Sequence, residues 1–65
     1  MVELTRLNNT SFVLNCDLIE TIEMRPDTTI FTVSGRMYIV KETVDEIVDK
    51  VIKYKSRILN EKIGI

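Results

Sequence analysis

The side chains that could carry chemistry in this chain are few, and their spacing argues against catalysis. Ser11, Ser34 and Ser56 are the serines, and the sequence holds no histidine to activate any of them. A Ser-His-Asp arrangement is therefore excluded within one chain. Cys16 is the one cysteine, and it lies between Asn15 and Asp17. A neighbouring carboxylate disfavours the thiolate that nucleophilic or redox chemistry requires, so Cys16 reads as a reduced, turn-filling residue. Glu20 and Glu23 are three apart on a strand-like segment, which sends them to opposite faces rather than into a carboxylate pair. Asp17 and Asp27 stand alone, whereas a calcium loop clusters its oxygens. One cysteine without histidine removes the usual zinc frameworks. Gly35 and Gly64 are the only glycines, too few for a phosphate-cradling loop. The chain is expected to have no catalytic, cofactor-binding or metal-ligating residues and not to be an enzyme.

The elements that hold these residues divide the chain in two. Residues 2–41 read as five short strands separated by turn signals. Val2 and Leu4 alternate with Glu3 and Thr5, the period of a half-buried strand. Asn8-Asn9 follows, and Asn tolerates the positive φ of a tight hairpin. Phe12-Val13-Leu14 forms the second strand, and Asn15-Cys16-Asp17 breaks it. In the third, Leu18 to Arg25, the alternation places Leu18, Ile22 and Met24 on one face, with Glu20 interrupting it. Arg25-Pro26-Asp27 ends that strand, since proline cannot donate to a ladder. Thr29 to Val33 is β-branched and aromatic, Ser34-Gly35 is a turn, and Met37 to Val40 completes the set. Short connections between the five imply an antiparallel meander or small barrel.

From Thr43 the period becomes helical. Thr43-Val44-Asp45-Glu46 matches a capping box, with Thr43 as N-cap and Glu46 reaching back. Val44, Ile47, Val48, Val51, Ile52, Tyr54, Ile58 and Leu59 recur at helical spacing and make a wide apolar stripe. Asp45, Glu46 and Asp49 come first and Lys50, Lys53, Lys55 and Arg57 follow, complementing the helix dipole. The helix is expected over about 44–60, fraying near Asn60. Strands first and helix last make an α+β fold, a small antiparallel five-stranded sheet or barrel with one C-terminal amphipathic helix, in a single domain of residues 1–65.

Composition sets what partners this fold needs. The 65 residues carry nine Lys and Arg against ten Asp and Glu, a net charge of -1. With a pI near 5.3, the chain has no bulk attraction to nucleic acid or anionic membrane. Arg6, Arg25, Arg36 and Lys41 near strand ends, with Phe12, Phe31, Tyr38 and Tyr54 as stacking groups, sketch an RNA-binding edge. Interspersed acids favour the blander reading, in which Phe12 and Phe31 are core and the bases are solvated. No apolar signal-peptide core opens the chain and no run approaches the ~20 residues that span a bilayer, so a cytoplasmic location without a transmembrane segment is expected. A chain this short buries only about 60% of its unfolded surface. With no disulfide or zinc site to help, self-association is the expected remedy. The helix stripe is wide enough for one flank to face the sheet and another a partner. Val51, Tyr54 and Ile58, in the 3-4 spacing of a coiled-coil seam with Val44 and Ile47, are the expected oligomer or partner interface.

The ordered motifs resemble the FlbD/SwrD family of flagellar and swarming-motility proteins. The likeness rests on Glu3-Leu4-Thr5-Arg6-Leu7-Asn8, Phe12-Val13-Leu14-Asn15, Asp17-Leu18-Ile19-Glu20-Thr21-Ile22-Glu23, Pro26-Asp27-Thr28, Gly35 and Tyr38-Ile39-Val40-Lys41-Glu42. Asn9 stands where family members often carry Gly, and Cys16 where a small residue such as Ala is usual. The resemblance implies a bacterial, cytoplasmic, non-enzymatic accessory of the flagellar motor base that raises motor power, with motor or stator components as partners. A fainter, architectural resemblance to the carbon storage regulator family implies the alternative, a small RNA-binding translational regulator. That family's glycine-rich early strands are missing here.

Overall fold

The structure, a computed structural model, describes the backbone of residues 1–63 and the side chains of residues 1–59. Five strands and one helix follow one another as β1 (Val2–Thr5), β2 (Ser11–Leu14), β3 (Ile19–Met24), β4 (Thr28–Thr32), β5 (Met37–Val40) and α1 (Val44–Ile63). A short 3-10 turn, Cys16–Leu18, leads into β3. The α+β order expected from the sequence is the order observed. The strands form two antiparallel sheets, a β1-β2 pair and a β3-β4-β5 meander.

Each turn forms for a local reason. Between β1 and β2, Asn8 Oδ1 accepts hydrogen bonds from the Thr10 N–H at 3.1 Å and the Thr10 hydroxyl at 2.6 Å. That leaves Asn9 at a φ of 70°, a region Asn tolerates better than most residues. Gly35 takes a φ of 85° between β4 and β5, where a side chain would be strained. The two sheets are stitched at one place, a bridge between Arg6 and Val40 with the Lys41 N–H donating to the Thr5 carbonyl at 2.9 Å. The end of β1 thus meets the end of β5, and the two sheets join at that corner.

Alternation along the strands builds the core. Val2 and Leu4 oppose Leu14 and Phe12, while Glu3 and Val13 face out. Ile30 opposes Tyr38 and Thr28 opposes Val40 across β4 and β5. Val2, Leu4, Leu14, Cys16, Ile30, Val40 and Ile47 form the buried cluster. Leu4, Ile30 and Ile47 are wholly enclosed, at 0% exposure. The three buried threonines of β4 are all satisfied: Thr28 donates to Met24 Sδ, Thr29 to the Asp27 carbonyl, and Thr32 pairs with Ser34.

The third strand departs from the simple alternation. A bulge between Ile19 and Thr21 makes Glu20 an extra residue, so Ile19 pairs with Thr32 and Thr21 already pairs with Phe31. The insertion shifts the phase by one residue. Ile19 and Ile22 thus both pack against the core, while Leu18 sits in the 3-10 turn at 40% exposure. Met24 keeps the expected face but lies at the strand end, 63% exposed.

Helix α1 starts where the capping box requires. The Thr43 N–H donates to Glu46 Oε1 at 3.0 Å, and the Glu46 N–H donates to Thr43 Oγ1 at 3.1 Å. The helix continues to Ile63, beyond the expected fraying point at Asn60.

Candidate interaction surface

Helix α1 carries two apolar stripes, and only one is used by the fold. Ile47 is fully buried, Val51 and Tyr54 pack half-buried against the core, and Val44 and Ile58 are half-buried beside them. The 44-47-51-54-58 seam is therefore the sheet-facing one. Tyr54, expected with Val51 and Ile58 at an oligomer or partner interface, packs against the core of its own chain. The second stripe is Val48, Ile52 and Leu59, at 45%, 58% and 58% exposure. Spacings of four and seven residues stack these three on one side of the helix.

Charged contacts fix where that second stripe points. Lys55, between Ile52 and Leu59 in the stripe, places Nζ 2.5 Å from Asp17 Oδ1 and ties the helix to the 3-10 turn. The hydrogen bond and the charge of Lys55 hold the Asp17 carboxyl below its ordinary range, and the same contacts raise Lys55. Asp49 and Lys53 pair along the helix at 2.9 Å. At the helix entrance, Glu42 accepts from the Thr5 N–H at 2.9 Å and the Thr5 hydroxyl at 2.8 Å. Burial pulls the Glu42 pKa upward, but the two Thr5 bonds, a bond from its own backbone N–H and the charge of Lys50 together outweigh it, and the net shift is downward. Sequence reasoning missed this clamp, since nothing local signals a bond across 37 positions.

Six of the eight basic and aromatic residues of the imagined RNA edge have partners within the fold. Phe12 and Tyr38 stack on each other with centroids 5.2 Å apart, and the Arg6 guanidinium sits 4.2 Å above the Phe12 ring. Arg25 pairs with Glu23 at 2.8 Å, and Lys41 bonds to the Asn9 side chain. Tyr54 packs against the core. An open depression of about 330 Å³ lies between the first turn and β5, lined by Arg6, Leu7, Asn8, Met37, Tyr38 and Ile39. Its residues offer apolar contact and one guanidinium already stacked, with no nucleophile beside a base.

Cys16 is buried in the core at 8% exposure, with the Met1 amine 3.8 Å from its sulfur. The 3-10 turn that places it is capped by Asn15 Oδ1, which accepts from the Asp17 N–H at 3.0 Å. Among the described residues, no group of three His, Cys, Asp or Glu side chains is placed to hold a metal ion. No helix among the described residues is long and apolar enough to cross a membrane.

The geometry is that of a small α+β module that exposes apolar surface on its helix rather than a pocket lined with reactive groups. The family model described as FlbD, flagellar and swarming motility proteins, matches residues 1–59, and the chain belongs to that family. The match ties the chain to flagellar and swarming motility and does not favour the RNA-regulator alternative. No curated protein and no solved structure matches the chain.

Proposed function

We propose that this protein is a non-enzymatic accessory of the flagellar motor, of the SwrD kind, that raises motor power through protein–protein contacts. It acts in the cytoplasm at the motor base, on motor or stator components, and it self-associates. Family membership over residues 1–59 carries the motility part of this reading. The contact part is supported by the uncovered apolar stripe of Val48, Ile52 and Leu59 on α1. Large apolar side chains left outside a small fold mark interaction sites when they fall together on one face.

The test is deletion of the gene, with motor torque measured on tethered cells beside stator and flagellin abundance. Torque is expected to fall while both abundances stay level. A loss of torque fully accounted for by lower stator or flagellin levels would replace the contact reading with a regulatory one.

A further inference from the structure

We propose that the outer edge of β2 is the self-association surface and that it pairs with the same edge of a second copy, antiparallel, about a two-fold axis beside Phe12. The proposal rests on the self-association part of the functional reading and deepens it by naming the edge and the register.

The direction of each backbone group along the β1-β2 hairpin is fixed by the bond at its turn. The Arg6 N–H donates to the Thr10 carbonyl at 2.8 Å. The register pairs Thr5 with Ser11, Leu4 with Phe12, Glu3 with Val13 and Val2 with Leu14, and bonded pairs alternate down such a ladder. Phe12 and Leu14 therefore turn their N–H and C=O groups towards β1, and Ser11 and Val13 turn theirs away. Thr5 confirms this phase, since Glu42 accepts its N–H and the Lys41 N–H donates to its carbonyl, both away from β2. β2 pairs with β1 alone, and among the described residues none bonds to the outward groups of Ser11 and Val13. Both residues are exposed, Val13 at 63%.

The other outer strand is guarded, and β2 is not. β3 carries the bulge at Glu20, the charges of Glu20 and Glu23, and Pro26 just past its end, and α1 lies against it. Those are the devices that keep an edge from recruiting strands. From Thr10 to Asn15, β2 and its flanks read Thr-Ser-Phe-Val-Leu-Asn, with no charge, proline, glycine or bulge. An edge of that composition templates a further strand when left bare.

A second copy fits it best. The segment meets its own duplicate without bringing like charges together. A foreign strand would cover the edge and present its own far side, whereas a second copy consumes the unguarded edge of both chains and closes the assembly. Pairing Ser11 with Val13 of the other copy satisfies every outward group of both residues and keeps all the bonded residues inside the strand. A register centred on Val13 would instead pair Ser11 with Asn15, whose carbonyl already accepts the Leu18 N–H at 3.0 Å as the chain enters the 3-10 turn. About the axis, Phe12 faces Phe12 of the second copy in the close, non-bonded position, where aromatic pairs stabilise a sheet. One strand edge covers less than a standard interface of about 1,600 Å², so the dimer is concentration-dependent.

Amide exchange on the unmodified chain reads the edge directly. The Ser11 and Val13 amides are expected to exchange slowly at high micromolar concentration and at least about tenfold faster on dilution, while those of Leu4 and Ile30 stay slow in both. Val13→Pro removes an outward N–H that the single chain does not use, at a site where edge strands tolerate proline. It should weaken self-association at least about tenfold in light scattering, with an unchanged circular dichroism spectrum. Should the proline unfold the hairpin, cross-linking decides. A mixture of Ser11→Cys and Val13→Cys proteins, the buried Cys16 retained, is expected to give mainly the mixed disulfide on mild oxidation, read by mass. Preferential Val13–Val13 bridges would move the axis and overturn the proposal. A dimer whose Ser11 and Val13 amides ignore concentration, and which survives Val13→Pro, would place the contact on another face, overturning the proposal and leaving self-association standing. A well-folded monomer at high micromolar concentration would remove both.

Discussion

Two isoleucines five residues apart on α1 give a sharp test of which flank the fold uses. Ile47 is 0% exposed and Ile52 is 58% exposed, although both lie on the same wide apolar stripe of the sequence. The same truncation at the two positions removes the same atoms from opposite environments. At Ile47, three buried carbons at about 0.8 kcal/mol each give roughly 2.4 kcal/mol of lost transfer energy. The cavity left in the buried cluster adds to that, so Ile47→Ala should cost about 2–5 kcal/mol. At Ile52 most of the side chain already meets water, and alanine is the better helix former, so Ile52→Ala should stay within about 0.5 kcal/mol of wild type. A 65-residue domain has on the order of 3–10 kcal/mol to lose. Urea unfolding at low micromolar protein separates the two, with a slope near 1 kcal/mol/M for so small a domain. Ile47→Ala should move the midpoint down by about 2 M or abolish the folded baseline, and Ile52→Ala should barely move it. Equal losses, or a larger loss at Ile52, would refute the assignment of the two flanks.

Thr43→Ala removes the hydroxyl that receives the Glu46 N–H and should cost about 0.5–2 kcal/mol by denaturant titration; an unchanged midpoint would mean the helix starts without its cap. Glu42 has its pKa depressed from the ordinary 4.5, so it adds stability above that value which is lost as the pH falls through the folded pKa. Glu42→Gln should therefore flatten the acid limb of a stability-against-pH curve below about pH 4.5, and an identical limb in both proteins would show that the Thr5 clamp does not act. Cys16 is buried, so a thiol reagent should label it only as fast as the protein opens, and folded Cys16→Ser should keep swarming motility. Fast labelling of native protein, or a motility loss in stably folded Cys16→Ser, would return the thiol to consideration.

The features that could be read from the chain alone are those decided by neighbours. The capping box at Thr43 and Glu46 is a matter of three residues, and the turns at Asn8-Asn9 and Ser34-Gly35 are matters of two. All three lie where the local chemistry puts them. The phase of β3 was hidden because the bulge at Glu20 is decided by pairing with Thr32 and Phe31, a dozen residues away. The interruption of the apolar face by Glu20 was the visible trace of that bulge. The split of the helix stripe into two flanks was legible, but which flank meets the sheet depends on how the β1 and β3 surfaces present themselves to α1. For the same reason Val51, Tyr54 and Ile58 matched a coiled-coil seam equally well before the fold claimed them.

The single stitch between the two sheets orders the events of folding. The β1-β2 hairpin and the β3-β4-β5 meander are each wired by contacts between near neighbours, which close fast and cost little loop entropy. Their union waits for Thr5 and Arg6 to find Val40, Lys41 and Glu42, pairings that span 34 to 37 positions. A nascent chain leaving the ribosome can therefore assemble both halves early, yet it cannot lock them until the residues just before α1 have emerged. The first strand, made first, is among the last to be secured.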